Sequence, residues 1–274
     1  MRENIIKSKL LDYPAITHGT STKFFGNMSI NRDINGFAPI NRAKFFTALG
    51  IDKQKSYIVF PKIKQSANVA LISTTGLSSI TYLEQDSPAI IKLAKFPGIN
   101  PPADYISNPE FGIDACISNS PHLFIAMLPA DCAPVFLFDP VTGYYALVHA
   151  GVLGAFSGIV GNTINCLKTW CAVEAKNIIA YIGPAISATA YNLKSSGLWQ
   201  QVLQDKVPAA LAENFDLKLF LHQQLISAGV EDTNIEVSVL CTALSDDLFF
   251  SNYSAKTIEE KQTQGRHMSI IGKK

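Results

Sequence analysis

The chain has 274 residues, of which 47% are hydrophobic, so it carries enough apolar side chains for a sizeable core and lacks the composition of a disordered protein. Lysine and arginine number 23 and aspartate and glutamate 22, which gives a formal net charge of +1. That balance excludes the electrostatic footprint of a nucleic-acid or anionic-membrane binder, whereas a small anionic substrate needs only one local basic residue.

The apolar patterning predicts strands and helices that are mixed along the whole chain. In chain order, the predicted elements are the strands Ser56–Phe60, Ala70–Ser73, Leu123–Leu128, Val135–Phe138 and Tyr144–His149, the helix Gly158–Val173, the strand Ile178–Ile182, the helices Trp199–Asn214 and Leu217–Ala228, and the strand Ile235–Leu240. The second of those two adjacent helices has Asp216 as its predicted N-cap and Gly229 as its stop. No composition shift marks a linker, so we predict one α/β (α+β) domain over residues 1–274.

A proline-rich stretch at 96–111 predicts an irregular loop, which is either a mobile, lid-like segment or an ordinary surface excursion. Elsewhere no apolar run approaches the roughly 20 residues that a bilayer span needs, and residues 1–13 lack the apolar segment of a signal peptide. The five cysteines are irregularly spaced without a C-x-x-C pair, which argues against a disulfide framework. We therefore expect a cytoplasmic protein.

The segment that carries the most chemistry is the predicted hairpin around residues 139–143, whose Asp-Pro-Val-Thr-Gly sequence is typical of a turn. Pairing about that turn places Cys132 opposite His149, or nearly so, at one end of the sheet. A thiolate and an imidazole that face each other either bind a metal such as zinc or act as a nucleophile and its base. A third interpretation is a small buried cysteine beside a hydrogen-bonded histidine, with no chemistry.

Short motifs in a fixed order run from about residue 16 to residue 270. They are His18-Gly19-Thr20-Ser21-Thr22-Lys23, Asn41-Arg42, Ala130-Asp131-Cys132-Ala133-Pro134, Val148-His149-Ala150-Gly151 with Gly154, Ile182-Gly183-Pro184-Ala185-Ile186, Cys241-Thr242, Phe249-Phe250-Ser251 and Gly265-Arg266. Together they resemble the laccase-domain family, also called polyphenol-oxidase-like or peptidoglycan-editing-factor-like. The resemblance implies mixed β-sheets packed with helices in a layered sandwich, a fold similar to that of CNF-type toxin deamidases.

Members of that family bind a metal, usually zinc, through two histidines and one cysteine. The resemblance assigns the cysteine to Cys132 and one histidine to His149, and it places Gln65 where the other histidine is expected. An amide oxygen is a neutral and weaker zinc ligand than an imidazole nitrogen, so we expect zinc to be held weakly or not at all, and copper less than zinc.

Basic residues of the family motifs are also altered. Lys23 replaces an arginine, which keeps the charge and loses the planar fork suited to phosphate. Leu153 and Tyr253 stand where basic residues are expected. Lys23 is thus our third candidate catalytic residue, as the group that would hold phosphate.

Four other histidines could replace the missing ligand. His18 stays open as a substitute, and we expect His122 at the far end of the sheet. His222 and His267 are expected to be solvated.

The resemblance implies a zinc-dependent enzyme that phosphorolyses purine nucleosides or deaminates adenosine, with a small-molecule substrate and phosphate. A related family role is an amidase acting on peptidoglycan precursors. Two alternatives remain: a metal-free hydrolase that uses Cys132 and His149, and a non-catalytic binding protein with a lost metal site. Copper oxidation of phenols does not fit, because the histidine-rich clusters of multicopper oxidases are missing from the sequence.

Overall fold

Two β-sheets form the centre of the part of the chain that the computed structural model describes, namely residues 4–73, 93–95, 112–195, 204–206 and 208–274. The strands are β1 Ile5–Ile6, β2 Ile16–Ser21, β3 Tyr57–Val59, β4 Val69–Ile72, β5 Leu93–Lys95, β6 Ala115–Ser118, β7 Leu123–Met127, β8 Ala133–Phe138, β9 Tyr145–Ala150, β10 Ile179–Ile182, β11 Ile235–Val237 and β12 Ser269–Lys273. The helices are α1 Ala38–Ala48, α2 Val152–Phe156, α3 Ile159–Cys171, α4 Ala209–Ala212, α5 Leu217–Ser227 and α6 Ile258–Thr263.

Both sheets mix parallel and antiparallel pairs. One has the order β1-β2-β12-β7-β3 and the other the order β11-β10-β8-β9-β6-β4-β5. Neighbouring strands are antiparallel except for the parallel pairs β3–β7, β4–β6 and β10–β11. The predicted α+β class with mixed sheets is confirmed.

Three clusters of buried apolar side chains hold the sheets and helices together in layers. Phe45 and Phe46 of α1 pack with Phe124 and Ile270 on the outer face of the first sheet. A second cluster lies between the two sheets, and a third joins the outer face of the larger sheet to α3 and α5. The result is the predicted layered sandwich, with a helix layer outside each sheet.

The β8–β9 hairpin shows why these strands are apolar throughout. Val135 and Val148 face the helices, whereas Phe136 and Leu147 face the other sheet. Successive side chains of a strand point to opposite faces, and both faces are covered here, so every position is buried. The hairpin therefore sits in the middle of the sandwich and fixes the positions of the residues beyond its ends.

The hairpin register differs from the predicted one. Pro134, rather than Cys132, is the strand partner of His149. The hairpin closes at Asp139 and Tyr144, where the Asp139 N–H donates to the Tyr144 carbonyl at 2.8 Å, so the loop holds residues 140–143 and its centre is shifted from the predicted one. Cys132 lies just before β8, beside Gly151. It is on the same side of the sheet as His149, because Pro134, the partner of His149, is two residues from Cys132 and residues two apart in a strand share a face.

Some of the other predicted elements are confirmed, and others differ from the structure. The helix α5 has the predicted N-cap, because Asp216 accepts from the Leu219 N–H at 2.9 Å, and Gly229 ends it with φ of +98°. The late strand is shorter than predicted, and β2, β6, β12 and α1 were not predicted. The loop at 96–111 and residues 199–203 and 207 of the predicted Trp199–Asn214 helix lie outside the described residues. In the rest of that predicted helix, residues 204–206 form a turn and only α4 is helical.

None of the five cysteines, all of which lie among the described residues, forms a disulfide bond. In the described ranges, no helix has both the length and the apolar content that a membrane crossing needs.

Candidate active site around Cys132 and His149

Three residues from separate parts of the chain meet above Gly151. A Cβ atom placed on Gly151 would lie 2.5 Å from Gln65 Oε1 and 2.9 Å from Cys132 Sγ, so both side chains reach into the space that the glycine leaves free. His149 precedes Gly151 by two residues and hydrogen-bonds Cys132 through its side chain. The structure thus brings Cys132, His149 and Gln65 together.

Asp114, a residue that the sequence did not single out, organises this cluster. Its carboxylate is fully buried and accepts from His149 Nδ1 at 2.9 Å. The same carboxylate accepts from the Gln65 N–H at 3.0 Å and from the Ser66 N–H and Oγ at 2.7 Å each. One acidic side chain therefore positions both the imidazole and the loop that carries Gln65, which itself has φ of +55°.

The charges of this pair follow from their contacts. Burial by itself would raise the pKa of the Asp114 carboxyl, but the hydrogen bonds from His149 and Ser66 outweigh it and hold that pKa below its usual value. An ionised carboxylate only accepts, so His149 Nδ1 carries a proton and Nε2 is the nitrogen that meets Cys132. Burial opposes protonation of His149, but Cys132 and Asp114 outweigh that effect and raise its pKa.

Cys132 opens onto a cavity of about 500 Å³, whereas His149 lies behind it and is 5% exposed. The described residues that line the cavity are Gln65, Ala130, Asp131, Cys132, Val152, Ile186, Tyr191, Ser195, Leu217, Asn252, Tyr253 and Lys261. The wall joins two aromatic rings and several apolar side chains to a few polar groups. That composition is typical of a pocket for a small organic ligand.

Tyr253, at a position where the family resemblance led us to expect a basic residue, has a structural role in this wall. Its ring packs edge-on against Tyr191 at a centroid distance of 5.4 Å, and its hydroxyl accepts from the Asn192 N–H at 3.1 Å. Its own backbone N–H donates to Asp131 Oδ2 at 2.7 Å. The second oxygen of Asp131 accepts from Thr242 Oγ1 at 2.8 Å, so Asp131 holds this wall beside Cys132.

Lys23 lies elsewhere. Its ammonium group donates to the Asp246 carbonyl and sits 5.3 Å from the centre of the Phe250 ring. It is not one of the described residues that line the cavity. Leu153 is half-buried in α2 and does not line it either.

The other histidines are engaged away from Cys132. His18 accepts from the Ser8 N–H at 2.9 Å, and burial, followed by the charge of Lys7, lowers its pKa to about 4. His122 is exposed next to the start of β7. The Tyr145 hydroxyl donates to the Leu123 carbonyl at this start, and Tyr145 lies at the end of β9 opposite to His149, so His122 is far from Cys132. His222 is half-buried and pairs with Asp232 at 2.9 Å.

The expectation that His267 is solvated is wrong: its ring is fully buried, and neither nitrogen has a hydrogen-bond partner. It lies against the Phe249 ring at a centroid distance of 5.4 Å, just before β12. The missed strand β12, in the middle of its sheet, is the reason that this residue is enclosed.

The donor chemistry decides how well this site fits zinc. The thiol of Cys132 and Nε2 of His149 suit zinc, and the Asp114–Nδ1 contact is the kind of support that metal-binding histidines have. The third donor, Gln65 Oε1, is a neutral amide oxygen, and the described residues contain no group of three His, Cys, Asp or Glu side chains that could hold a metal ion. The residues present do not fit a tightly held zinc ion.

Asp114 carried one sequence signal that reasoning from motifs missed. It is an acidic residue directly before the buried strand β6, and β6 itself contains no charged residue. Its partner could not be read from the sequence, because β6 pairs with β9, from which it is separated by two other strands in the chain.

Comparison with known proteins gives a consistent family. A profile of the family described as multi-copper polyphenol oxidoreductase laccase matches residues 19–274. A purine nucleoside phosphorylase of Corynebacterium glutamicum is 28% identical over 247 residues, covering 84% of this chain and 93% of that protein. The purine nucleoside phosphorylase YlmD of Bacillus subtilis is 33% identical over 172 residues, and the match covers 59% of each chain. The YlmD protein of Geobacillus stearothermophilus is 29% identical, and the match spans 61% of its length.

Solved structures share the fold. The crystal structure of YlmD from Geobacillus stearothermophilus superposes with a TM-score of 0.71 at 20% identity, covering 100% of this chain and 97% of that one. The hypothetical protein YfiH of Bacillus licheniformis superposes with a TM-score of 0.69 at 22% identity, covering 100% of both chains.

Proposed function

This chain belongs to the multi-copper polyphenol oxidoreductase laccase family, and we propose that it is an enzyme of purine nucleosides that cleaves the bond between base and ribose with phosphate. The names of its relatives support this reaction class. The observation that carries the proposal is the Asp114–His149–Cys132 series, because it ends with Cys132 in the wall of a cavity of about 500 Å³.

The cavity suits a nucleoside by its composition. Tyr191 and Tyr253 offer aromatic surface for a flat base, and Ile186 and Leu217 add apolar contacts. Ser195 and Asn252 lie on the same wall, where their polar groups can hydrogen-bond a ribose. Pockets of about 300–1,000 Å³ with a few polar groups in an apolar lining are the usual size for ligands of this class.

The chemistry needs one proton at the cavity wall. Phosphorolysis joins a phosphate oxygen to the ribose C1′ carbon while the C1′–N bond breaks, and the departing purine takes up a proton. Cys132 faces the cavity and His149 hydrogen-bonds it from behind, so the pair can hold and deliver that proton. Asp114 keeps the imidazole in the orientation that this transfer requires.

The test is turnover of adenosine and inosine by protein purified in the presence of a chelator. We expect free base and ribose 1-phosphate, formed only when phosphate is present. Cys132→Ala should abolish this turnover, whereas the matched change Cys166→Ala, in the buried face of α3, should leave it unchanged. A protein that folds and binds no nucleoside would contradict the proposal and favour a non-catalytic role.

A second candidate function is a hydrolase with Cys132 as nucleophile, and the position of Gln65 favours it. In such an enzyme Sγ attacks a carbonyl carbon, His149 transfers the thiol proton to the departing amine, and water then cleaves the thioester. The side-chain amide of Gln65 lies beside Cys132, where it can donate to the oxyanion. Trapping of a thioester on Cys132 by an amide or ester substrate, without phosphate, would support this function.

A further inference from the structure

Three cations lie near the rim of the Cys132 cavity, namely Lys261, Arg266 and Arg32. Lys261 lines the cavity, and Arg266 lies close enough to Cys132 and Asp131 for both to influence its charge. Arg32 approaches the same place and acts on Arg266 as a neighbouring positive charge. Among the described residues, no ion pair joins any of the three to a carboxylate.

Arg266 has hydrogen-bond donors to spare. Its Nη1 donates to the carbonyls of Gln264 and Gly265 at 3.0 and 2.9 Å, and its Nη2 makes one long contact of 3.4 Å with Asn252 Oδ1. A guanidinium has five N–H donors, so the Nε–H and one Nη2–H remain available. Asn252 lines the cavity, which places this free side of the guanidinium next to it.

Arg32 fixes the helix that presents Lys261. Its Nη1 donates to the carbonyls of Lys261 and, at 3.4 Å, of Gln262 near the end of α6. A cation at the C-terminus of a helix is stabilised by the helix dipole and satisfies carbonyls that lack a partner within the helix. Arg32 therefore contributes charge and holds Lys261 in place.

Asp131 offsets the charge of Arg266 only in part, since it acts on Arg266 as a negative charge without forming an ion pair with it. Both of its oxygens already accept hydrogen bonds, from Thr242 and from the Tyr253 N–H. Burial and the neighbouring Arg32 lower the pKa of Arg266 to about 10, which leaves the guanidinium charged at neutral pH. Cations that lie close together without a direct ion pair favour an anion as their partner.

We propose that Lys261 and Arg266, supported by Arg32, form the subsite that holds a phosphate group at the rim of the Cys132 cavity. The inference rests on the proposed phosphorolysis for its role, and it moves phosphate binding away from Lys23. An arginine fork beside a lysine point charge suits a tetrahedral oxyanion. The phosphate group is either the free inorganic anion or the 5′-phosphate of a nucleotide.

Calorimetric titration of the purified protein with inorganic phosphate alone tests the subsite separately from turnover. Lys261→Met should raise the phosphate Kd about tenfold or more, since one charge-assisted contact is lost, and Lys261→Arg should restore most of the affinity. Lys256→Met, on the exposed turn before α6, is the matched control and should leave the Kd unchanged. Arg266→Lys should weaken binding while keeping the charge, because the fork is lost.

The outcomes separate the two proposals. Phosphate binding that depends on Lys261, without nucleoside turnover, would support the phosphate subsite and contradict the proposed phosphorolysis. Nucleoside turnover with the same phosphate KM in the wild type and in Lys261→Met would contradict the phosphate subsite and support the proposed phosphorolysis. Wild-type protein that binds no phosphate overturns the subsite. Adenosine 5′-monophosphate that binds more tightly than inorganic phosphate and adenosine would identify a nucleotide as the source of the phosphate.

Discussion

His149 and Asp114 are joined twice: His149 Nδ1 donates to the Asp114 carboxylate at 2.9 Å, and the His149 backbone N–H donates to the Asp114 carbonyl at 2.7 Å. The first bond orients the ring and the second fixes the strand pairing that brings it there. Because the carboxylate also accepts from the backbone N–H of Gln65, a single side chain positions both the imidazole and the Gln65 backbone.

Asp114→Asn should reduce both stability and nucleoside turnover. An amide has only one acceptor oxygen, so buried donors from the Gln65 loop or from His149 would face its NH2 group, at a cost of about 1–3 kcal/mol in the free energy of unfolding. Loss of the oriented imidazole should lower kcat about a hundredfold. Denaturant melts and kcat measurements check the two effects.

Asp139→Asn provides the matched control at the other end of the same hairpin. Asp139 is equally buried and accepts from the Val141 and Thr142 N–H groups. We expect a comparable loss of stability and an unchanged kcat per folded molecule. Equal losses of kcat in the two variants would mean that Asp114 is only structural.

Gln65→His should increase the affinity for zinc. It replaces a neutral oxygen by an imidazole beside Cys132 and His149, and histidine tolerates the left-handed backbone at φ of +55°. The variant should retain zinc by elemental analysis after dialysis and melt at a higher temperature with added zinc. Gln65→Leu should do neither, and stoichiometric zinc in the wild type would show that the amide oxygen is a sufficient ligand.

Gly151→Ala should disturb the site directly. The new Cβ would meet Gln65 Oε1 at 2.5 Å and Cys132 Sγ at 2.9 Å, so one of them must move. Turnover and the rate of Cys132 alkylation by iodoacetamide should both change. Gly161→Ala is the control: nothing lies within 4 Å of its Cβ position inside α3, and it should stabilise the protein by about 0.5–1 kcal/mol.

Acid should destabilise the fold through two buried histidines. Burial, followed by the charge of Arg266, lowers the pKa of His267 to about 3, and His18 titrates with a pKa of about 4 against 6.5 for the unfolded chain. Below pH 6.5 the unfolded chain therefore binds more protons than the native one, so stability falls as the pH drops toward 3–4. Each group contributes about 1.4 kcal/mol per pH unit in that window.

Melting temperatures between pH 7 and pH 4 check this linkage. His267→Leu should flatten the pH dependence, because it removes an enclosed imidazole without hydrogen-bond partners. His222→Gln removes a histidine that pairs with Asp232 outside the core, and it should keep the decline at acid pH. An unchanged slope in His267→Leu would contradict the assignment.

Short continuous apolar runs predicted β7, β8, β9 and β10, and helical spacing of apolar residues predicted α3 and α5, all within a few residues. Strands β2 and β6 escaped prediction because their buried faces carry threonine, serine, glycine and cysteine, whose burial depends on neighbouring strands. Helix α1 escaped because its periodicity is interrupted by polar side chains and by Arg42, which is buried and donates to the Met28 carbonyl.

The sequence by itself determined that Cys132 and His149 lie near one end of a hairpin, because strand pairing around a turn is a local property. It also determined that Gln65, as an amide, would be a poor ligand. Only the tertiary structure decided that Asp114 positions His149 and the Gln65 loop and that Lys23 lies away from the cavity. It also decided that Lys261 lines the cavity and that Arg266 contacts Asn252 in its wall. Those relationships join segments far apart in the chain, and their contacts are set by how the sheets and helices pack rather than by any local pattern.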